Sequence, residues 1–423
     1  MTEPSTSQTS ARASALGRCV CVPADVFARK YWADQPLHSA AGTLPRDFGD
    51  LFSPAAADEL LTERALRTPF IRMAKEGSVL AADCFTASGG FGAHVADQVD
   101  PARVLREFAG GATIVLQGLH RTWPAVGVFT RDLVAELGHP AQVNAYITPE
   151  SNRGFDPHYD VHDVFVLQVS GEKHWRVHAP VRTHPRADEP WSQYRAAVAA
   201  RAREEPVLDV VLRPGDALYL PRGWLHSAVA RAGTSIHLTV GVASYTGADV
   251  VHELMAAVRG SAGLRAPLPI MGTAAPADEA GRNEVTAAVQ EVTTAFLDAL
   301  RTSPGVAPER IAAALGGQLR RQVRPEPVAP LATVEAAASL SGQELVRLRH
   351  GLDTQVTVDA AGVHLRAPDQ GLRLPLECEA AIRALARHEP HPAGALPGLD
   401  EAGSLVVSRR LLRSGFLVTG QSG

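Results

Sequence analysis

Cysteine is scarce in this sequence, with four residues in a chain of 423. Cys19 and Cys21 form an isolated CxC pair, and Cys84 and Cys378 stand alone. A disulfide framework at this length needs more cysteines, and a structural zinc site needs a second Cys or His pair close to the first. We therefore expect free thiols and a reducing compartment.

Long apolar runs and a strong net charge are also missing. No stretch of about 18 residues is apolar and free of charge, so no transmembrane helix is expected. The polar N-terminus has no apolar segment typical of a secretory signal, which predicts a cytoplasmic protein without membrane contact. A formal net charge of −4 provides no field that would attract nucleic acid. With 45% hydrophobic and 20% charged residues, the composition is typical of a soluble globular chain of two to three domains.

The texture of the first part of the chain predicts a β-rich domain. Residues 1–16 are rich in Ser and Thr without periodicity, and we predict that they are disordered. Residues 17–246 alternate short helical pieces with strand-like runs rich in Val, Ile, Tyr and Phe. Few long helices separate these runs, which favours a barrel or double-sheet jelly roll over a parallel sheet. The predicted strands are 112–118, 142–148, 163–171, 174–178, 216–221 and 235–242, and the predicted helices are 23–32, 55–66 and 101–108.

Residues 247–322 form a predicted helical segment. Five apolar residues recur there at helical spacing, on one face of a helix over 278–301. They are Val285, Val289, Val292, Phe296 and Leu300. A second helix is predicted over 307–315. Because such a segment is too small for its own core, we expect it to pack on a neighbour or on a second subunit, as in a homodimer.

A Pro-rich stretch over 323–332 predicts a linker, followed by a third unit over 333–423. Helices are predicted there at 377–387 and 401–413, and strands at 355–358, 363–366 and 414–419. A helix pair flanked by small strands is typical of a winged helix. From 340 to 423 nine Asp and Glu balance nine Lys and Arg, so the unit lacks the basic face of a DNA reader. This favours a structural or protein-interaction role over direct nucleic-acid binding.

The densest polar chemistry lies between residues 154 and 175. His158 and Asp160 are two residues apart, which in a strand places both side chains on one face. His226 follows 68 residues later, after a Pro-Arg-Gly loop. Two imidazoles and a carboxylate on a rigid β-scaffold form a facial triad that suits non-haem Fe(II) binding an oxo-acid and O₂. Zinc hydrolases use a related ligand set, so the ligands alone leave both chemistries open.

Lys173 favours the first of these chemistries. A lysine inside a barrel needs an anionic partner, and the carboxylate of a dicarboxylic cosubstrate would be one. Tyr146 could add a hydroxyl to the same carboxylate, and Asn144 shares its strand face.

Two further histidines are ambiguous. His237 shares a strand face with Ser235 and Thr239, so it could line a pocket or fill the barrel. His162 has the parity of His158 and Asp160, and we interpret it as a residue that faces substrate or supports the ligands rather than as a ligand.

Together these motifs resemble the JmjC/cupin-type ribosomal oxygenases, which are Fe(II)- and 2-oxoglutarate-dependent protein hydroxylases. The resemblance is carried by HYDVHDVFVLQVSGEKHW, PGDALYLPRGWLHSA and SIHLTVGV, with FARKYWADQPL and ATIVLQGLHRTWPAV similar to the family's N-terminal region. It implies an α+β fold: a double-stranded β-helix (jelly-roll, JmjC) barrel, then a helical dimerisation segment and a C-terminal winged-helix domain.

By this resemblance, His158, Asp160 and His226 would hold the iron, and Lys173 and Tyr146 would bind the distal carboxylate of 2-oxoglutarate. Family members hydroxylate a β-carbon of Arg or His in ribosomal proteins, which implies a ribosomal protein substrate. The loop SNRGFDP and the run VHDVFV depart from the family, and they flank the place where a substrate side chain would enter.

Three alternatives remain open at this point. The chain could hydroxylate a peptide natural product, or it could be a demethylase using the same iron chemistry. It could also be a non-enzymatic cupin binding module with a DNA-binding winged helix.

Overall fold

The computed structural model describes residues 14–92, 94–152, 155–231, 233–268 and 279–420, with the backbone alone described at 279–284. The chain divides into two compact units, residues 1–244 and 245–423. The mixed α+β class predicted from the sequence is confirmed, and the strand pairs of the described residues are antiparallel. No helix within these described ranges is both long and apolar enough to cross a membrane.

The first unit holds two facing sheets and a set of short helices. Its helices are α1 (Ala24–Lys30), α2 (Pro54–Thr62), α3 (Pro101–Ala109), α4 (Leu119–Thr122), α5 (Pro124–Leu137) and α6 (Arg195–Arg201). Its strands are β1 (Leu37–Ser39), β2 (Ile71–Lys75), β3 (Ser78–Val79), β4 (Thr86–Ala87), β5 (Gln98–Val99), β6 (Thr113–Leu116), β7 (Ala141–Thr148), β8 (Asp163–Ser170), β9 (Lys173–His178), β10 (Leu208–Leu212), β11 (Ala217–Leu220), β12 (Leu225–Ala230) and β13 (Ser235–Val242).

The larger sheet has the order β1-β11-β8-β13-β7-β6-β2-β3, and the smaller sheet has the order β10-β9-β12. Strand β8 is buried on both faces because apolar residues occupy both parities of its sequence. Phe165 and Leu167 pack into the main core, which includes residues of the helices. Val164 and Val166 point the other way and pack against Trp175 of the smaller sheet. The space between the two sheets is therefore lined by β8 and β9.

Helix starts in this unit follow local sequence signals. Ser53 and Asp100 cap α2 and α3 by accepting backbone N–H groups, and each precedes a proline at the first helical position. The same proline signal begins α5, and Gly138 ends it with a φ of 69°. Helix α5 lies outside the predicted helices, as strands β1, β2, β10 and β12 lie outside the predicted strands.

The predicted disorder of residues 1–16 is wrong at its end, while residues 1–13 lie outside the described part of the chain. The backbone N–H groups of Ala15 and Leu16 donate to the carboxylate of Glu136 at 2.7 and 2.9 Å, and the Ser14 hydroxyl does so at 2.7 Å. A tertiary partner from α5 therefore orders this segment despite its featureless composition.

The second unit begins with helices and ends in a small core of helices and antiparallel sheets. Its helices are α7 (Gly247–Val258), α8 (Ala262–Arg265), α9 (Glu279–Thr302), α10 (Pro308–Gln322), α11 (Pro330–Ser339), α12 (Glu379–Leu385) and α13 (Glu401–Arg413). Its strands are β14 (Leu345–Leu348), β15 (Gln355–Asp359), β16 (Gly362–Ala367), β17 (Gln370–Leu374), β18 (His391–Pro392) and β19 (Leu417–Thr419). Two antiparallel sheets form, β18-β14-β19 and β15-β16-β17.

Two features of the second unit bear on the sequence prediction. Helix α11 begins at Pro330, inside the predicted linker 323–332, because proline suits the first position of a helix as well as a linker. Along α9, Val289 and Val292 of the predicted apolar face are exposed.

Candidate active site

His158, Asp160 and His226 converge on one point of the first unit. Each offers one ligand atom, and these three atoms lie within 4.8 Å of one another. The Nε2 atom of His226 is 3.7 Å from a carboxylate oxygen of Asp160. The two imidazole rings are 4.5 Å apart, centroid to centroid. Two imidazole nitrogens and one carboxylate oxygen at these distances match the donor set of a divalent metal site.

The second nitrogen of each imidazole is held by a backbone carbonyl. His158 Nδ1 lies 2.7 Å from the carbonyl oxygen of Asp156, and His226 Nδ1 lies 3.1 Å from that of Trp224. A carbonyl only accepts, so each Nδ1 carries the proton and each Nε2 keeps a lone pair. This outer contact is the usual way in which proteins orient a metal-binding histidine.

Main-chain contacts rather than a strand position His158 and Asp160, whereas His226 lies in strand β12. Residues 158–160 lie outside the strands, and His158 forms an isolated bridge with His226. The Gly223 N–H donates to the carbonyl oxygen of Asp160 at 2.9 Å. The expectation that His158 and Asp160 share a strand face is therefore wrong. Their side chains converge because the loop is tied to the turn before β12.

Asp163, at the start of β8, holds that turn from the other side. It is fully buried, and one carboxylate oxygen accepts the Arg222 N–H at 3.1 Å and the Tyr219 hydroxyl at 3.2 Å. Its other oxygen accepts the Ser244 hydroxyl. This carboxylate thus connects the strand after Asp160 with the turn before His226.

The charge states around the triad suit metal binding. Burial lowers the pKa of His226 to about 4, with His158 adding to the effect, so its imidazole is neutral at pH 7. Burial would raise the pKa of Asp160, but the electrostatic effect of nearby basic side chains outweighs it, and the pKa lies below its ordinary value. These neighbours are His162, His226, His158 and Arg72.

The triad opens into a cavity of about 250 Å³ between the two sheets. Its walls include the three ligand candidates together with Tyr146, Lys173 and His237. Val164, Val166 and Trp175 supply apolar wall from β8 and β9. The cavity thus combines a possible metal site with an apolar wall on one side and several polar groups.

Lys173 is the first residue of β9, and its side chain is buried. Its Nζ donates to the Thr148 hydroxyl at 3.0 Å, and burial lowers its pKa from 10.5 to about 7. A buried ammonium of this kind gains from an anion in the cavity, because the anion offsets the loss of hydration.

Tyr146 and His237 stand opposite each other on β7 and β13. Their rings are stacked, with centroids 5.1 Å apart and planes at 5°. Burial, followed by the charge of Lys173, lowers the pKa of His237 far below its ordinary value. Within the described residues, the buried His237 Nδ1 has no hydrogen-bond partner, and His237 lines the same cavity as Lys173.

Asn144 and His162 lie elsewhere. Asn144 shares a strand face with Tyr146, but two residues along a strand amount to roughly 6.6 Å. Its Oδ1 accepts the Gly118 N–H at 3.0 Å, and it is not among the residues that line the cavity. His162 is also absent from the lining. It packs on Gly241, where an added Cβ would come within 2.5 Å of its ring.

Arg72 of β2 lines the same cavity and was not anticipated from the sequence. Its guanidinium carbon lies 5.4 Å from the centre of the Phe155 ring, and burial raises the pKa of Tyr146 overall, although the charge of Arg72 acts to lower it. A single arginine in the run IRMAK is typical of a solvent-facing strand position. No local signal in the sequence distinguishes Arg72 from such a solvent-facing residue, because the cavity forms by packing of segments that are distant in the chain.

A segment between β9 and β10 closes one side of the site. Trp191 lines the cavity, and the Tyr159 hydroxyl donates to the backbone carbonyl of Glu189 at 2.9 Å. Tyr159 and Leu225, each next to a triad histidine, pack in one small apolar cluster with Val198 of α6. The segment is therefore attached directly to both parts of the triad.

Known proteins resemble this chain in sequence around the site. A family model described as the JmjC domain matches residues 128–250, a range that includes the three ligand candidates. Ribosomal oxygenase 1 of Gallus gallus is 34% identical over 233 residues, which cover 54% of this chain and 37% of that protein. The bifunctional lysine-specific demethylase and histidyl-hydroxylase NO66 of Drosophila persimilis is 42% identical over 98 residues, covering 23% of this chain and 13% of that protein. The chain thus spans well under half the length of these relatives.

Solved structures extend the likeness to most of the chain. A crystal structure of the Escherichia coli ribosomal oxygenase YcfD aligns over 94% of this chain and 98% of its own, with 18% identity and a TM-score of 0.50. The structure of YcfD in complex with cobalt and 2-oxoglutarate aligns over 95% and 99%, with the same identity and TM-score. At this identity the likeness concerns the fold.

Proposed function

We propose that this chain, a JmjC-domain protein related to the ribosomal oxygenases, is an Fe(II)- and 2-oxoglutarate-dependent hydroxylase of an amino-acid side chain. The observation that carries the proposal is a three-ligand cluster in the same cavity as a buried lysine. The cluster suits a divalent metal with open positions, and the lysine suits a dicarboxylic cosubstrate. A zinc hydrolase would need the first feature but not the second.

The residues fit the metal on the chemistry of their donors. Both imidazoles direct a lone pair inward because their Nδ1–H groups are engaged, and Asp160 supplies the anionic ligand. When bound, Fe(II) with 2-oxoglutarate and O₂ supplies the oxidising chemistry that inserts oxygen into an unactivated C–H bond. His158, Asp160 and His226 hold that metal.

The remaining polar residues of the cavity bind and orient the cosubstrate. Lys173, supported by Thr148, pairs with the distal carboxylate of 2-oxoglutarate, and the hydroxyl of Tyr146 donates to it. His237 stays neutral beside Lys173 and donates from its buried Nδ1. The wall formed by Val164, Val166 and Trp175 excludes water, which strengthens each of these contacts.

The finer parts of the proposal concern substrate and architecture. The relatives' names support a ribosomal protein as substrate and histidine as one target. The family resemblance implies the β-carbon of Arg or His as the target. The two facing sheets support a double-stranded β-helix barrel, and helices α12 and α13 with their small sheets support a winged-helix domain. The exposed Val289, Val292 and Leu297 of α9 support a homodimer formed through the helical segment. Light scattering that shows a stable monomer at micromolar concentration would contradict the dimer.

The test is anaerobic loading with Fe(II) and 2-oxoglutarate, followed through the visible metal-to-ligand charge-transfer band. The band is expected in the wild type and weakened in Lys173→Ala, while Lys30→Ala, at a surface lysine of α1, serves as the matched control. A folded wild-type protein without the band would exclude the proposed cofactor chemistry and favour the non-enzymatic binding module.

Product analysis separates the remaining alternatives. Mass spectrometry of a hydroxylation product shows one added oxygen, whereas demethylation releases formaldehyde. A modified peptide from the same host that gains oxygen in place of any ribosomal protein would favour the natural-product role.

A further inference from the structure

The charges that line the cavity are unevenly distributed. Among the lining residues that the structure describes, Asp160 is the one carboxylate, and the metal would use it. Lys173 and Arg72 are the cations. If Lys173 pairs with 2-oxoglutarate, as proposed above, Arg72 is the cation left for the substrate. No described acidic side chain of the wall remains to pair with a cationic one.

Arg72 is held in place and has a donor to spare. It lies in β2 opposite Val115 of β6, and this strand pairing fixes the position of its backbone. Its guanidinium lies over the ring of Phe155, 5.4 Å from the ring centre. Its Nε is buried and has no hydrogen-bond partner in the described part of the chain. A buried guanidinium N–H without an acceptor is costly, so an acceptor in the cavity would be stabilising.

The aromatic rings of the wall do not offset this bias. A cationic substrate side chain could in principle stack on Phe155 or Trp191. Arg72 already lies over Phe155, and the guanidinium of Arg195 lies 4.6 Å from the centre of the Trp191 ring. Both rings therefore carry one of the protein's own guanidinium groups.

We propose that Arg72 determines the charge of the substrate by pairing with a carboxylate of the bound peptide, so that the site takes an acidic segment. A Lys or Arg side chain is disfavoured at the position that enters the cavity. The inference rests on the proposed function and narrows it, because it disfavours arginine among the targets considered there.

The test measures which peptides support turnover. Pools of nine-residue peptides, each with one position fixed as Asp, Asn, Lys or Arg and the others mixed, are given to the Fe(II)-loaded protein with 2-oxoglutarate. Succinate formation is measured for the wild type, Arg72→Gln, Arg72→Lys and Arg72→Glu. Arg176→Gln is the matched control, because Arg176 is exposed and pairs with Asp209 on the surface at 3.3 Å.

The wild type is expected to prefer Asp over the isosteric Asn at one or more positions by about tenfold, the effect of one charge-assisted hydrogen bond. Arg72→Gln should lose this preference, Arg72→Lys should keep most of it, and Arg72→Glu should favour Lys over Asp. Arg176→Gln should match the wild type. Turnover without a preference for Asp, or a preference that persists in Arg72→Glu, would overturn the inference and leave the proposed function standing.

The charge-transfer band distinguishes failure of the inference about Arg72 from failure of the proposed function. If Arg72→Gln folds by circular dichroism but no longer forms the band, Arg72 binds the cosubstrate and the inference is wrong. If the wild type forms no band and no succinate, the proposed function fails, and the inference fails with it.

Discussion

His158 and His226 are joined through their main chains, although 68 residues separate them. The N–H of His158 donates to the carbonyl oxygen of His226 at 3.1 Å, and the N–H of His226 donates back at 2.8 Å. A reciprocal pair of this kind fixes the relative position of the two backbones before any metal binds. The ligand cluster is thus preorganised by backbone hydrogen bonds that do not depend on the side chains.

Replacing a proposed ligand should remove the metal, whereas replacing the neighbouring histidine should not. His226→Ala is expected to abolish iron-dependent succinate formation. It should also weaken metal binding by more than the roughly 10–100-fold that loss of an outer hydrogen-bond partner costs. His162→Ala should still bind one metal ion, because His162 lies outside the ligand cluster. Undiminished turnover in His226→Ala would refute the ligand assignment.

Asp163→Asn should damage both stability and the site. The substitution keeps one acceptor oxygen but sets an NH2 group either against the Arg222 and Tyr219 donors or against the Ser244 hydroxyl. We expect a loss of about 1–3 kcal/mol in the free energy of unfolding and a metal affinity lowered about tenfold or more. Chemical denaturation and metal titration measure the two effects, and the exposed Asp188→Asn is the control. Unchanged metal affinity would show that the turn before His226 holds without this carboxylate.

Burial of Lys173 should make stability depend on pH. Its pKa of about 7 in the folded protein lies below the value of 10.5 in the unfolded chain, so the unfolded chain binds more protons between these values. Stability of the wild type relative to Lys173→Met should therefore rise as the pH increases from 7 toward 10.5. The penalty is fully present below pH 7, where Lys173→Met should be more stable by about a few kcal/mol.

Denaturation of both proteins at several pH values measures this difference. Saturating 2-oxoglutarate with Fe(II), without oxygen, should flatten the pH dependence of the wild type and stabilise it more than Lys173→Met, which keeps the metal ligands but lacks the cation for the cosubstrate. A pH-independent difference between the two proteins would contradict a buried, titrating lysine.

The hairpin that presents Lys173 should depend on Gly171. This residue has a φ of +63°, and a Cβ there would lie 2.3 Å from the carbonyl oxygen of Thr234. Gly233 has a similar φ of +66° with nothing within 4 Å of an added Cβ. We expect Gly233→Ala to cost about 1–2 kcal/mol from backbone strain alone, and Gly171→Ala to cost clearly more. Equal unfolding free energies for the two variants would show that the hairpin relaxes around the added methyl group.

Short-range features of this protein could be predicted from its sequence. Helix α13 begins and ends at the predicted residues, and strand β13 coincides with the predicted run, because capping residues and β-branched residues act locally. The mixed α+β class was implied by the family resemblance that the sequence motifs carry. Helix α5 shows that a local signal can be present and overlooked, since its proline start and glycine end are both visible in the sequence.

The sequence by itself determined which side chains could form a metal site, because two imidazoles, a carboxylate and a lysine are the groups that this chemistry requires. The tertiary structure decided how they meet. It brought His226 to His158 through a main-chain bridge, placed Asn144 away from the cavity, and turned Arg72 from an ordinary strand residue into part of its wall. Such contacts join segments far apart in the chain, and a spacing pattern contains no information about which distant backbones will pair or which surfaces their packing will enclose.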